Sequence, residues 1–271
     1  MVSEALERLE ALLAGTRSAL VAYSGGVDST VMLAVAARAL PGRSLGIVAR
    51  SPSLPAAELE AALQLAATRG LAVEVLDTAE VELPGYVANG PDRCYFCKTE
   101  LYGRLRELAE ARAFEAVLDG FNRDDREDWR PGRRAAVENG VRSPLDEAGL
   151  GKADVRALAL ELGLPNWDKP AAACLSSRIA YGVPVTLTGL DRVERAETAV
   201  RALGFTEVRV RDHGGPATVE VAPEQVARLQ GDEGLLRRVE RRLLGLGFES
   251  VDVDPAGYRR GNLNRRMVWP T

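Results

Sequence analysis

Histidine is nearly missing from this chain, and the shortage excludes whole classes of chemistry. Among 271 residues there is one, His213. A zinc site built on several imidazoles is ruled out, and a Ser-His-Asp relay would have to use that single ring. Cysteine is scarce too. Three residues, an odd number, do not make a disulfide framework. No apolar run approaches the ~20 residues that span a bilayer, so no membrane partner is expected. Met1-Val2-Ser3-Glu4 opens an acidic amphipathic pattern without a signal-peptide profile, which predicts a cytoplasmic protein. A formal net charge of −4 gives no electrostatic case for broad nucleic-acid binding, so nucleic acid is not an expected partner.

Apolar residues are plentiful, at 46%, and the length suits two ordinary domains. Apolar periodicity predicts a helix over 4–14, then strands alternating with helices. Strands are expected at 44–49, 71–76 and 116–120, with helices over 55–69, 100–113 and 152–162. Such alternation indicates an α/β fold with a doubly wound parallel sheet, whose ligands bind beyond the carboxyl ends of the strands. After Tyr181-Gly182-Val183-Pro184 the pattern changes. A long helix over 187–203, strands at 206–211, 217–221 and 248–253, and a helical stretch over 225–246 broken near Gly231 describe a small α+β domain. The expected division is 1–184 and 185–271.

The sharpest motif is Ser24-Gly25-Gly26-Val27-Asp28-Ser29, set between the buried run Ala19-Leu20-Val21-Ala22-Tyr23 and a helical pattern. Two glycines let backbone amides approach an anion, and the helix N-terminus adds its positive dipole end. Ser24 and Ser29 add hydroxyls. Asp28 would repel a bare phosphate, so it suits a magnesium ion bridging phosphates. The Walker pattern is absent, since no Gly-Lys-Ser/Thr follows at the required spacing. The hexapeptide resembles the loop of the ATP pyrophosphatase superfamily, which cuts ATP between its α- and β-phosphates. Ser24, Arg50-Ser51 and Gly120 all fall at strand ends and are expected to converge on one cleft with Asp124.

Three further motifs carry reactive groups. Residues 119–132 hold Asp119, Asp124, Asp125, Glu127, Asp128 and three arginines after a buried strand; such a set suits magnesium, with Arg130 for phosphate, or else a solvated loop. In Arg93-Cys94-Tyr95-Phe96-Cys97-Lys98 two thiols three apart at a helix start could chelate a metal or form a redox pair. Cys174 lies in Ala173-Cys174-Leu175-Ser176-Ser177-Arg178, where a neighbouring arginine would stabilise a thiolate; a cysteine among alanines also suits a small core position.

Together these pieces resemble one family along essentially the whole chain: the ATP-dependent, LarE-type sulfur transferases that build the nickel-pincer nucleotide cofactor of lactate racemase. The matching segments include Tyr23 to Ser29, Ser51-Pro52-Ser53-Leu54-Pro55, Arg93 to Lys98, Asp119 to Gly132, Arg142-Ser143-Pro144-Leu145, Ala173 to Arg178, and Arg209-Val210-Arg211-Asp212-His213-Gly214. The resemblance implies that ATP adenylates a carboxylate of pyridinium-3,5-dicarboxylic acid mononucleotide and that a protein-bound sulfur then displaces AMP. It implies ATP contacts at Ser24, Gly25, Gly26, Asp28, Ser29, Ser51, Gly120 and Asp124. It also implies a substrate-phosphate clamp at Arg209, Arg211 and Ser177.

In one branch of the family the sulfur comes from a sacrificial cysteine, here Cys174. The thioester it forms eliminates to dehydroalanine. In another, three thiolates hold a [4Fe–4S] cluster with one iron open for an extra sulfide. All three cysteines fall in two motifs, which favours the cluster, with Cys94, Cys97 and Cys174 as ligands. Glu197 and Glu220 match acidic residues near a metal site of the family, and a homo-oligomer is the expected assembly. The rival readings are a tRNA-thiolating enzyme of the same superfamily, an amidotransferase synthetase subunit, and a nucleotide-sensing or iron-sulfur scaffold protein. The small second domain and the negative charge disfavour the first, and the cysteines are unexplained by the second.

Overall fold

The computed structural model describes residues 3–127 and 131–259. In chain order the elements are α1 (Glu4–Leu13), β1 (Ala19–Tyr23), α2 (Val27–Ala39), β2 (Ser44–Arg50), α3 (Ala56–Thr68), β3 (Val73–Asp77), α4 (Pro84–Val87), α5 (Arg93–Ala111), β4 (Ala116–Leu118), α6 (Gly132–Glu138), α7 (Pro144–Glu147), α8 (Lys152–Glu161), α9 (Leu187–Arg201), β5 (Val208–Asp212), β6 (Pro216–Val221), α10 (Val226–Gly231), α11 (Glu233–Leu244) and β7 (Ser250–Val253). Two compact units emerge: Met1–Leu83 with Asp92–Ala172, and Pro84–Pro91 with Ala173–Thr271.

The first unit is the α/β domain. Its sheet has the order β3-β2-β1-β4, with every pair parallel. Side chains alternate across β1, so one strand feeds two cores. Ala19, Val21 and Tyr23 join α1, α2 and α8, while Leu20 and Ala22 join α5 and α6. Helices on both faces make this a doubly wound sheet. Gly46 of β2 permits the close approach of α2, because a Cβ there would sit 2.6 Å from Leu33 Cδ2. Ser3 caps α1, its side chain accepting from Leu6 N–H. The chain runs from β1 outward through β2 to β3, then returns to β4 on the other side of β1. The carboxyl ends of β1 and β4 therefore flank the switch point.

The second unit is α+β. Its sheet has the order β5-β6-β7, with β5–β6 antiparallel and β6–β7 parallel. One face packs on α9, α10 and α11 through Val200, Val210, Val219, Leu229, Val239 and Leu243. Asp232 separates α10 from α11 and caps the latter, its side chain accepting from Leu235 N–H, which accounts for the expected break near Gly231.

The division into units differs from a single cut at 184/185. Residues 84–91 join the second unit, and that unit begins at Ala173. The hydrogen bonds explain it. Asn89, fully buried, donates through Nδ2 to the carbonyls of Ala180 and Val183, each at 2.8 Å, and Val185 N–H donates to Val87 O. A second difference is α5, which starts at Arg93 rather than 100. Tyr95 N–H donates to Asp92 O, so both thiols of the Cys94/Cys97 pair lie in the opening turns of a helix of 19 residues.

Candidate functional site

The loop of the first unit is assembled from its own hydroxyls. Ser24 N–H donates to Ser29 Oγ at 3.1 Å, the two serine oxygens lie 3.0 Å apart, and Ser29 Oγ donates to Gly26 O. Thr30 Oγ1 donates to the same carbonyl over 2.7 Å. Gly25 has φ +69, and a Cβ on it would lie 2.6 Å from Ala62 Cβ, so neither conformation nor space admits a side chain. Gly26 is the N-terminal cap of α2, with no capping side chain. Its position leaves the first amides of the helix as the donors for an anion.

The β4 end closes on this loop as the sequence predicted. A Cβ on Gly120 would sit 2.8 Å from Ser29 N and 2.9 Å from the Asp28 carbonyl carbon, so glycine allows the two segments to touch. Asn122 Nδ2 donates to Asp28 Oδ1 at 3.3 Å. Asn122 is itself fully buried and caps the 3-10 turn Arg123–Arg126. Asp124 is occupied differently. Its carboxylate accepts Lys152 N–H at the start of α8 over 2.8 Å, and Arg123 as well, and these bonds hold it below the usual carboxylate range. It therefore serves as an anchor of α8. Asp128, Trp129 and Arg130 lie outside the described residues.

Ser51 follows β2, the neighbour of β1. Its hydroxyl bonds Ser53 Oγ at 2.8 Å and donates to Glu80, which is almost wholly buried. Nothing in the motif pointed to Glu80, 29 residues further on. Asn166 was missed too. Its Nδ2 donates to Gly25 O at 3.2 Å and to Thr30 Oγ1 at 3.0 Å, tying the segment after α8 to the loop. Asp119 is buried and accepts from Ser143 Oγ, Tyr102 Oη and Phe121 N–H. Burial and that carboxylate push the Tyr102 hydroxyl well above its ordinary value.

The second unit holds Cys174, half-buried, immediately before the 3-10 turn Leu175–Arg178. Arg178 does not serve as a free cation beside the thiol, which corrects the expectation from the sequence. It is 2% exposed, its Nε donates to Glu197 Oε1 at 2.8 Å, and its Nη1 donates to the carbonyls of Ala173 and Cys174. Arg211, on β5, is paired with buried Glu220 of β6 at 2.7 Å and donates Nη1 to Ser177 O at 2.8 Å. Arg211 and Ser177 are thus brought together, through the Ser177 carbonyl. Arg209 shares the face of Arg211 and stacks over the Tyr258 ring at 4.8 Å.

Glu197 and Glu220 are counter-charges to arginines in this structure. Glu197 lies between Arg178 and Arg201, and its carboxyl is shifted: burial raises it, but Arg178, Arg201 and Arg209 outweigh burial and hold it below the ordinary value. Four guanidiniums, those of Arg178, Arg201, Arg209 and Arg211, thus meet two carboxylates. The surplus positive charge suits a phosphate dianion. Burial, followed by the charge of Arg178, lowers the Arg209 guanidinium from its usual value. His213 stands in the β5–β6 turn, its Nε2 bonded to Thr218 Oγ1.

Cys94 and Cys97 belong to the first unit and Cys174 to the second. Among the described residues, no group of three or more His, Cys, Asp or Glu side chains is placed to hold a metal ion. The three thiolates expected for a [4Fe–4S] cluster are thus divided between the two units. Asp28, by contrast, fits magnesium held by one carboxylate and substrate phosphates. Among the described residues no helix is long and apolar enough to cross a membrane.

The parallel sheet with a glycine-serine loop at its switch point makes this an α/β protein of the doubly wound, ATP pyrophosphatase-like kind. No family model matches the chain. It is 40% identical over 262 residues to the pyridinium-3,5-bisthiocarboxylic acid mononucleotide synthase of Lactiplantibacillus plantarum, covering 96% of this chain and 94% of that one. It is also 45% identical over 268 residues to an uncharacterized protein of Synechocystis, covering 99% and 100% respectively. An uncharacterized protein of Methanocaldococcus jannaschii matches at 27% over 240 residues, 89% of this chain and 90% of that one. The chain belongs to the LarE-type sulfur transferase family of that mononucleotide synthase.

Proposed function

We propose that this protein is an ATP-dependent sulfur transferase acting on pyridinium-3,5-dicarboxylic acid mononucleotide. The observation that carries the reading is that half-buried Cys174 lies on the main-chain turn to which two arginines of a cluster in positive surplus are bonded, Arg178 at the Cys174 carbonyl and Arg211 at the Ser177 carbonyl. The near full-length relation to a mononucleotide bisthiocarboxylate synthase supports it. A substrate that presents a phosphate and a carboxylate needs cations for the first and a nucleophile for the second.

The chemistry follows from leaving groups. A carboxylate oxygen of the substrate attacks the α-phosphorus of ATP, and pyrophosphate departs. Amides at the start of α2, with Ser24 and Ser29, bind phosphate oxygens, and Asp28 would hold magnesium against them. The ion, when bound, offsets the charge of the departing pyrophosphate. Arg209 and Arg211 bind the substrate's own phosphate, with Ser177 beside them. The Cys174 thiolate then attacks the acyl carbon and AMP leaves, giving a thioester. Loss of the Cys174 Cα proton with cleavage of Cβ–S frees the thiocarboxylate and leaves dehydroalanine. No step is routed through an iron-sulfur cluster.

The test is intact mass before and after a single turnover with ATP and the mononucleotide, with pyrophosphate measured in parallel. The expected result is one pyrophosphate per transferred sulfur and a loss of about 34 Da, hydrogen sulfide, from each chain that has turned over. A chain of unchanged mass that turns over repeatedly with added sulfide refutes the Cys174 route. No pyrophosphate release refutes the activity.

A further inference from the structure

The carbonyl of Cys174 accepts three hydrogen bonds. Ser177 N–H donates at 3.0 Å, Ser177 Oγ at 2.7 Å and Arg178 Nη1 at 2.8 Å. A cap of the 3-10 turn needs only the first of these, and a carbonyl has two lone pairs. One of the extra donors is a guanidinium that is 2% exposed and fixed from behind by Glu197 at 2.8 Å. Buried, charge-assisted donors are the strong ones, and this one cannot turn away to solvent. The same guanidinium also donates to Ala173 O, so the peptide groups on both sides of the Cys174 Cα are held.

We propose that Ser177 and Arg178 form an oxyanion hole for the Cys174 main chain itself, stabilising the enolate through which the Cys174 thioester eliminates. This inference rests on the sacrificial-cysteine reading above and adds to it the groups that lower the elimination barrier. An amide Cα–H is a weak acid because the electron pair left by the proton must be placed on the adjacent carbonyl oxygen. When the Cα–H bond breaks, the proton passes to solvent base. The pair forms the enolate, whose oxygen becomes the anion that faces Ser177 N–H, Ser177 Oγ–H and Arg178 Nη1–H. The enolate then collapses. Cα=Cβ forms, Cβ–S breaks, and the sulfur leaves with its electron pair as the thiocarboxylate. No oxidant or reductant is involved. Donors already in place where charge develops need no reorganisation at the moment of reaction. Their target is a residue of the chain and not a bound substrate, so the hole exists before any ligand arrives.

The readout is the decay of the thioester adduct, followed by rapid quench and intact mass after single turnover with ATP and the mononucleotide. The adduct is heavier than the chain, and its product is about 34 Da lighter. Decay is expressed per adduct formed, so any effect of a substitution on substrate capture does not enter it. In the wild type the adduct should not accumulate. In Ser177→Ala it should persist, with a decay constant lower by roughly tenfold or more, since loss of a single oxyanion donor elsewhere costs about a hundredfold or greater. Ser177→Thr, which keeps the hydroxyl, should restore fast decay, a rescue that a merely structural role does not require. Arg178→Lys should slow decay as well. Should that variant misfold through its Glu197 partner, the two serine variants carry the test. Adduct decay at the wild-type rate in Ser177→Ala overturns the proposal while leaving the sulfur-transfer reading in place. A wild-type chain that never loses the 34 Da overturns that reading, and the hole with it.

Discussion

Asn122 and Asp28 stand 94 residues apart in the chain, yet the Asn122 amide donates to one oxygen of the Asp28 carboxylate over 3.3 Å. That bond fixes the acid of the Ser24–Ser29 loop from the neighbouring strand end. Asp28→Ala should abolish pyrophosphate release with the fold intact, because it removes one charge and leaves the hydroxyl bonds that build the loop in place. Asn122→Ala should weaken the activity by less and raise the magnesium concentration required for half-maximal rate. A bond to a charged group is worth roughly 1.5–3 kcal/mol, so the shift should lie near ten- to a hundredfold. The check is a magnesium titration of pyrophosphate release. An unchanged half-maximal concentration would confine Asn122 to capping its own turn.

The glycines of the two facing loops differ in what they tolerate. Gly25→Ala combines a left-handed backbone with a Cβ 2.6 Å from Ala62 Cβ and should destabilise the chain by roughly 2–4 kcal/mol, left-handed strain plus overpacking. Gly120→Ala has only the steric fault, against the Asp28 and Ser29 backbone, and should cost about 1–3 kcal/mol. Gly26→Ala meets only Ser24 Oγ at 3.4 Å and should change stability by no more than about 1 kcal/mol, the scale of an N-cap exchange. Urea titrations of the three variants give the order, and a Gly26→Ala as unstable as Gly25→Ala would contradict it.

Much of this was legible in the sequence. Helices α1, α9 and α11 leave an apolar period of 3.6, β1 and β4 leave short apolar runs, and the Ser24–Ser29 loop announces itself by glycine between a buried strand and a helix. What the sequence hid are pairings across long separations. Asn166 reaches Gly25 over 141 residues and Glu80 reaches Ser51 over 29, and neither residue belongs to a motif of the loop it supports. Residues 84–91 join the second unit through bonds no motif announces: Asn89 acts on carbonyls of residues 180 and 183, and Val185 N–H donates to Val87 O. Arg178 was misread for a similar reason. Adjacency to Cys174 suggested a partner for sulfur, whereas Glu197, 19 residues away, takes the guanidinium.

The two arginines proposed to hold the substrate's phosphate should fail in different ways. Arg209→Ala removes a half-exposed cation that stacks on Tyr258, so the KM for the mononucleotide should rise about ten- to a hundredfold while the KM for ATP and the unfolding midpoint stay near wild type. Arg211→Ala also takes a guanidinium away from buried Glu220, a defect of up to roughly 3–5 kcal/mol, and should lower stability as well as affinity. Steady-state kinetics with each substrate, beside thermal melts, separates the two. Equal rises in both KM values for Arg209→Ala would argue against a phosphate contact.

The buried carboxylate of Glu197 gives the second unit an acid limit whose direction is fixed. Burial raises this group, but Arg178, Arg201 and Arg209 outweigh burial and hold its folded-state value below the ordinary 4.5. The unfolded chain therefore takes up the proton first as pH falls. The stability Glu197 contributes is present in full above the unfolded value and is lost progressively as pH drops from about 4.5 through the lower folded value. Glu197→Gln cannot titrate, so its stability should be lower at neutral pH, where Arg178 lacks a counter-charge, and should fall less steeply over that acid range. Other carboxylates contribute equally to both proteins, so the difference between the two urea midpoints isolates Glu197. That difference should shrink steadily below pH 4.5; a constant difference across the range would show that Glu197 is not depressed by the arginines around it.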